Sequence, residues 1–253
     1  MKRRNRPEGN EAVFAEMGLM EHLEELRNRL FKIVVAYILA AAGSWFAYSV
    51  ILGWLIAPLK SLPVADQIIR SGQLIYTAPT EAFFVRLKVT AFSAMVLALP
   101  VILWQLWRFV TPGLHAHEKR YALPFVFVSV ILFAAGVATA FVSLPKALEV
   151  LGGFAGTEMV LLPRAADYLS FVMILVAAFG FSFEFPIILL GLALVGVITS
   201  RQLRDARRAA WIIILVIAAI ITPTQDPITL AIMSVPLALL YEATIIAARM
   251  MGK

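Results

Sequence analysis

Apolar residues along this chain fall in long unbroken runs, not in the short alternating or 3.6-residue stripes of a water-soluble fold. Residues 33–57 are 25 positions without a charge. At about 1.5 Å per residue that is enough to cross a hydrocarbon core of about 30 Å. Further uncharged runs follow at 89–107 and 121–144. A 33-residue stretch at 168–200 holds one charge, Glu184. Two more apolar segments, 209–225 and 228–250, close the chain. Ahead of the first run, residues 13–30 read as an amphipathic helix, with Met20, Leu23, Leu26 and Leu30 on one face. Loops at 58–80 and 145–167 are marked by Pro58, Pro63, Gly72, Pro79, Pro145, Gly152, Gly153, Gly156 and Pro163.

Dividing 168–200 at Glu184 leaves 16 residues on each side, which reach only about 24 Å. One long helix, tilted or kinked near Pro186, is the better reading. The 17 uncharged residues at 209–225 fall short of full thickness and run into a tight turn at 222–227. The last two helices are therefore expected to be short. The pattern predicts an all-α integral membrane protein of six spans, at about 31–55, 82–107, 121–144, 168–198, 209–222 and 228–248. They form one domain over 13–250, behind a basic polar tail at 1–12.

Composition excludes the main alternatives. Of 253 residues, 61% are hydrophobic and 15% charged, against about 25% charged in an average soluble domain. A soluble fold could not hide that much apolar surface. A transmembrane β-barrel would show alternating segments of about 10 residues. A cleaved leader is disfavoured by the 32 residues before the first run and by the length of the run itself. The net charge of +6 is unevenly spread. Sixteen of the 22 lysines and arginines lie in residues 1–32, the loops 108–120 and 201–208 and the carboxyl end. The positive-inside rule then puts both termini in the cytoplasm. Arg86 and Lys88 are expected to snorkel at the outer end of the second span.

Catalytic chemistry is missing. The chain has no cysteine, so no thiolate and no cysteine-bound metal. No glycine-rich phosphate loop occurs. His117-Glu118-Lys119-Arg120-Tyr121 misses the zinc-protease pattern at its last position. His115 and His117 read as solvated loop residues, and no Gly-x-Ser-x-Gly setting holds a serine. Neither an enzyme nor a bound metal or cofactor is expected.

Polar residues in apolar surroundings are the candidate sites. A charge at mid-membrane costs about 2.5–3.5 kcal/mol on insertion scales, so Glu184 needs a partner, water or a proton. Its plain alternative is a structural contact to a neighbouring helix. Glu25 can pair with Arg29 at i,i+4, and Glu118 with surface cations beside it. Two inward-facing carboxylates could also receive a cationic ligand, and guanidinium matches them in fork geometry. Trp104 and Trp107 read as an interfacial belt around Phe109. Glu242 is placed to snorkel or to pair with Arg249, and Asp226 stays unassigned.

The chain resembles the TatC family, the multi-spanning subunit of the twin-arginine protein translocase. The resemblance rests on 20–30 (MEHLEELRNRL), 79–84 (PTEAFF), 99–114 (LPVILWQLWRFVTPGL), 117–120 (HEKR), 168–171 (YLSF), 179–186 (FGFSFEFP) and 222–223 (TP), in family order. It implies a receptor for signal peptides with paired arginines, which starts export of folded proteins driven by the proton-motive force across the bacterial inner membrane. Glu25, with Glu24 as its neighbouring alternative, falls on the family's amino-terminal signal-binding glutamate. Glu118 falls on the loop glutamate, and Phe109 on an aromatic of the same region. Glu184 matches an intramembrane glutamate of a polar groove, and Thr222 a partner-contact edge, both toward the single-span subunits TatA and TatB. The roles of Asp226 and Thr229 stay open. A second reading, from the residues alone, is a small proton- or ion-coupled transporter using Glu184.

Overall fold

A computed structural model describes residues 19–60, 74–110, 122–153, 164–222 and 227–252. The tail at 1–12, Glu118, both loop histidines and Asp226 lie outside the described residues. Among the described residues the chain is helical: α1 (Leu19–Phe46), α2 (Tyr48–Lys60), α3 (Glu81–Val110), α4 (Ala122–Gly153), α5 (Ala165–Leu194), α6 (Ser200–Asp205), α7 (Arg207–Ile221) and α8 (Pro227–Met250). Five of them, α1, α3, α4, α5 and α8, are long and apolar enough to cross a membrane.

Three helices differ from expectation. α4 runs on through Pro145 to Gly153, into the segment read as a loop from 145, because its apolar face continues into the core through Ala147 and Leu148. The run at 33–57 is not one helix: it breaks at Ala47, between α1 and α2. There the Arg86 guanidinium of α3 donates 3.1 Å to the Trp45 carbonyl and lies 4.3 Å over the Trp45 ring. A charged donor takes a carbonyl at the helix end, where carbonyls lose their intrahelical partners. Arg86 therefore turns inward to α1 and does not snorkel. The last helix is also longer than expected: α8 has 24 residues. Of the last two helices only α7, with 15 residues, is short. The backbone continues as helix through Pro236 of α8, so the apolar segment is not cut there.

The layers follow from burial. The central helix is α5, with 61% of its apolar window buried, against 6% for α1. It runs unbroken for 30 residues, with Pro186 inside it. Its neighbours are α4 and α8 on two sides, and α1 packs outermost on α3. Phe179, Leu169, Val172 and Val176 of α5 share a core with Val89 of α3, Leu144 of α4, Leu59 of α2 and Met233 of α8. Gly136 and Gly180 let α4 and α5 approach closely: a Cβ on Gly136 would sit 2.7 Å from the Phe179 carbonyl oxygen.

Polar groups close the packing. Tyr168 donates to the Leu55 carbonyl at 3.0 Å, fixing α5 to α2. Tyr241 donates to the Leu203 carbonyl at 2.6 Å, fixing α8 to α6. Thr244 donates to the Pro186 carbonyl at 3.2 Å, fixing α8 to α5. In apolar surroundings such bonds matter because an unpaired polar group is costly.

Candidate functional site

The residues singled out from sequence fall in two places. The first is one end of the bundle. Tyr37 of α1 donates to the Ala91 carbonyl of α3 at 3.3 Å, and Trp45 meets Arg86. As α1 ascends α3 descends, so the Glu25 end of α1 lies beside the Phe109 end of α3. The carboxyl end of α5 is there too, since a Cβ on Gly191 would lie 3.6 Å from Trp107.

Glu25 forms an ion pair with Arg29, one helical turn on, with side chains 20% and 13% exposed. The spacing-based pairing is thus present. Glu25 Oε2 and Arg29 Nε are shielded and have no hydrogen-bond partner among the described residues. Neighbouring Glu24 pairs with Arg27 at 3.1 Å, but that pair is 64% and 73% exposed. The two adjacent glutamates, alike in sequence, therefore differ in environment, and Glu25 is the one held in a shielded setting. Phe109 is half-buried near the end of α3. Trp107 does not belong to an interfacial belt. It is 8% exposed and packs edge-on against Phe125 of α4, ring centroids 3.8 Å apart.

The second place is inside the bundle. Glu184 is 6% exposed on α5. Its carboxyl takes a hydrogen bond from Ser129 of α4, while Oε1 has no partner. Thr222 caps the carboxyl end of α7 and donates to the Ala218 carbonyl at 2.7 Å. Ala218 packs in the same core as Phe179 and Phe183. Thr222 is thereby 3% exposed and does not itself present a hydroxyl at the surface.

Three polar constellations were not legible as sites. Glu81 begins α3 and gathers the far end of the bundle. Its Oε2 accepts from the Thr77 amide at 2.8 Å and from Arg164 at 3.4 Å, and its Oε1 from the Ala166 amide at 3.2 Å. A carboxylate in the first turn of a helix was the available signal. Arg86 at the α1–α2 break is the second. The third is at the Leu194 end, where Arg207 donates to Glu242 at 2.6 Å. Glu242 thus pairs across to α7 and not with Arg249. No group of three His, Cys, Asp or Glu side chains among the described residues could hold a metal ion.

Long apolar helices wrapped around one central helix, with a single carboxylate buried in it, define a polytopic helical membrane protein. Comparison with known proteins gives the family. The family description "Sec-independent protein translocase protein (TatC)" matches residues 21–236. The TatC of Aquifex aeolicus is 40% identical over 233 residues, spanning 90% of this chain and 93% of the relative. The TatC of Frankia casuarinae is 39% identical over 238 residues, 92% of this chain but only 65% of that longer protein. A crystal structure of the twin arginine translocase receptor TatC in DDM superposes with a TM-score of 0.73 at 37% identity, covering 90% of this chain and 99% of that one. This chain belongs to the TatC family of protein-translocase proteins.

Proposed function

We propose that the chain is the signal-peptide receptor and core subunit of a twin-arginine translocase, and that it acts by binding, not by catalysis. It sits in the bacterial inner membrane with six spans and both termini cytoplasmic. Its cargo is folded proteins whose leaders carry paired arginines, and TatA and TatB are its single-span partners. Transport draws on the proton-motive force. Family membership supports the reading, and so does the charge asymmetry of the loops.

One observation carries the ligand assignment. Glu25 is a shielded carboxylate that already holds a guanidinium, that of Arg29, and keeps a second oxygen without a partner. An incoming arginine exchanges with or joins Arg29 on a site built for that fork. Glu118 lies in the segment that joins the Phe109 end of α3 to α4 and supplies the second carboxylate. Phe109 offers a half-buried ring to the same leader. Glu184 belongs to the inner groove that meets the partner subunits, and Thr222 closes the end of α7 at the partner-contact edge. The unpartnered Oε1 of Glu184 is the acceptor available to them. The transporter reading gains nothing comparable.

The test is binding of a fluorescent twin-arginine leader to membranes bearing Glu25→Ala, Glu118→Ala or both. Losing one partner of a desolvated pair costs about 2–5 kcal/mol, so affinity should fall at least about 30-fold. A leader with both arginines replaced by glutamine should bind wild type equally poorly. Unchanged affinity in the double variant refutes the clamp. Glu184→Gln should leave leader binding intact and weaken crosslinking to the single-span partners; the opposite pattern refutes its role.

A further inference from the structure

At the Leu194 end of the bundle, α6, the start of α7 and the end of α8 line a cavity of about 370 Å³. Its polar wall is Ser200 with four arginines, Arg201, Arg204, Arg207 and Arg249, and its apolar wall includes Ile246 and Met250. Among the described residues only two of these charges are matched from within, and one of those only at a distance. Arg207 is committed to Glu242 at 2.6 Å. Arg201 reaches Asp205 only at 3.9 Å, in an exposed pair. Arg204 and Arg249 have no ion pair among the described residues. Like charges gathered around one concavity repel, and an anion placed among them relieves that repulsion. Guanidinium forks match phosphate oxygens bidentately.

The remaining wall says what the anion is attached to. Ile246 is 60% exposed and Met250 84%, so the rim that holds the arginines also presents bare hydrocarbon. A water-soluble anion has no use for that surface, whereas an acyl chain covers it. A cavity of about 370 Å³ accepts a phosphate with its glycerol carbons but not a folded acidic domain. We propose that this cavity binds the headgroup of an anionic phospholipid, its phosphate held by Arg204 and Arg249 and one acyl chain laid along Ile246 and Met250. Basic pockets between membrane helices provide the chemistry for such headgroups. The Arg207–Glu242 pair plays the supporting part: it holds α7 against α8 and sets the width of the cavity.

The full chain, purified in mild detergent, is titrated with phosphatidylglycerol and with phosphatidylcholine of the same acyl chains, and bound lipid is counted by native mass spectrometry. Wild type should prefer phosphatidylglycerol at least tenfold. Arg204→Gln with Arg249→Gln should weaken its binding about 25-fold, a factor of about five for each arginine near a lipid surface, and leave phosphatidylcholine unchanged. Lysine at both positions should keep the preference. Equal binding of the two lipids by wild type overturns the proposal without any variant, so a glutamine variant that fails to fold does not protect it. An unchanged preference in the folded double variant also overturns it. Displacement of the lipid by inorganic phosphate at equal concentration would show a site for soluble phosphate and reject the lipid.

Discussion

Replacing Gly136 by alanine tests how closely the buried glutamate depends on helix packing. The added Cβ would lie 2.7 Å from the Phe179 carbonyl oxygen, 3.0 Å from the Gly180 Cα and 3.0 Å from Phe183 Cγ. Two of these neighbours are backbone of α5, which cannot swing aside. Restoring ordinary contact requires α4 and α5 to part by about 0.7 Å, and a gap of that size forfeits about a quarter to a half of each dispersion contact it opens. Overpacking costs about 1–3 kcal/mol, and a backbone obstacle puts this site at the upper end. Alanine returns about 0.8–1 kcal/mol of helix propensity. The net loss is about 2 kcal/mol. Gly180→Ala is the control. Its Cβ would meet the Phe133 ring, at 2.6 Å from Cε2, and a ring edge can rotate away. Its net cost should be about 0–1 kcal/mol. Both are measured by unfolding in mixed micelles of mild detergent and dodecyl sulfate, followed by circular dichroism. The wider gap also strains the Ser129–Glu184 hydrogen bond, so Gly136→Ala should weaken crosslinking to single-span partners more than Gly180→Ala does. A neutral or stabilising Gly136→Ala, or a larger cost for Gly180→Ala, refutes the packing argument.

Arg86→Gln removes a charged hydrogen bond to Trp45 and a cation–π contact. It should lower stability by about 2–3 kcal/mol in the same micelle assay, and Arg86→Lys should recover only part of it; full recovery would mean that charge alone matters. Tyr168→Phe leaves the buried Leu55 carbonyl without its donor and should cost about 1–2 kcal/mol, with leader binding unchanged. Glu81→Gln loses a charged acceptor that joins Thr77, Arg164 and Ala166. Amide exchange at 74–81 should accelerate in that variant while the α8 amides stay protected, and uniform acceleration would show that Glu81 serves the whole fold.

Features set by spacing along the chain were legible in the sequence. The helices at 81–110, 122–153 and 165–194 announce themselves through the apolar runs 89–107, 121–144 and 168–200, and Glu184 stands out as the one charge in the last of these. The Glu25–Arg29 pair follows from one turn of helix. What stayed hidden depends on register between distant segments. Arg86 and Trp45 are 41 residues apart, Arg207 and Glu242 35, and Arg164 and Glu81 83. Each of these ions has a nearer counter-charge or a plausible route to solvent, so proximity in sequence suggests the wrong answer. The same blindness hid the break at Ala47. No proline or charge marks it, and the group that stabilises it belongs to another helix. Glu24 and Glu25 could be told apart only by shielding, which is a property of the packed bundle.

The two ends of the bundle use their polar groups in opposite ways, and the contrast bears on function. At the Glu81 end the carboxylate is saturated by donors from its own chain, on two segments at once. A saturated ion holds structure and has little left to offer a ligand. At the other end polar groups are left over among the described residues: the second oxygen of Glu25, and the guanidinium groups of Arg204 and Arg249, which form no ion pair there. Folding would have gained by pairing these with one another, yet the helices keep the carboxylate on α1 and the cations on α6 and α8. On the roles proposed above, an acid that receives a guanidinium and a basic cavity that receives a phosphate are compatible only if they stay apart. On that proposal, their separation would let one face of the membrane carry both a basic leader and acidic lipid without either masking the other's site. On this argument, moving a glutamate into the arginine cavity, as Ile246→Glu, should abolish the preference for anionic lipid and leave leader binding at Glu25 intact. Loss of both would mean that the two sites are one electrostatic unit.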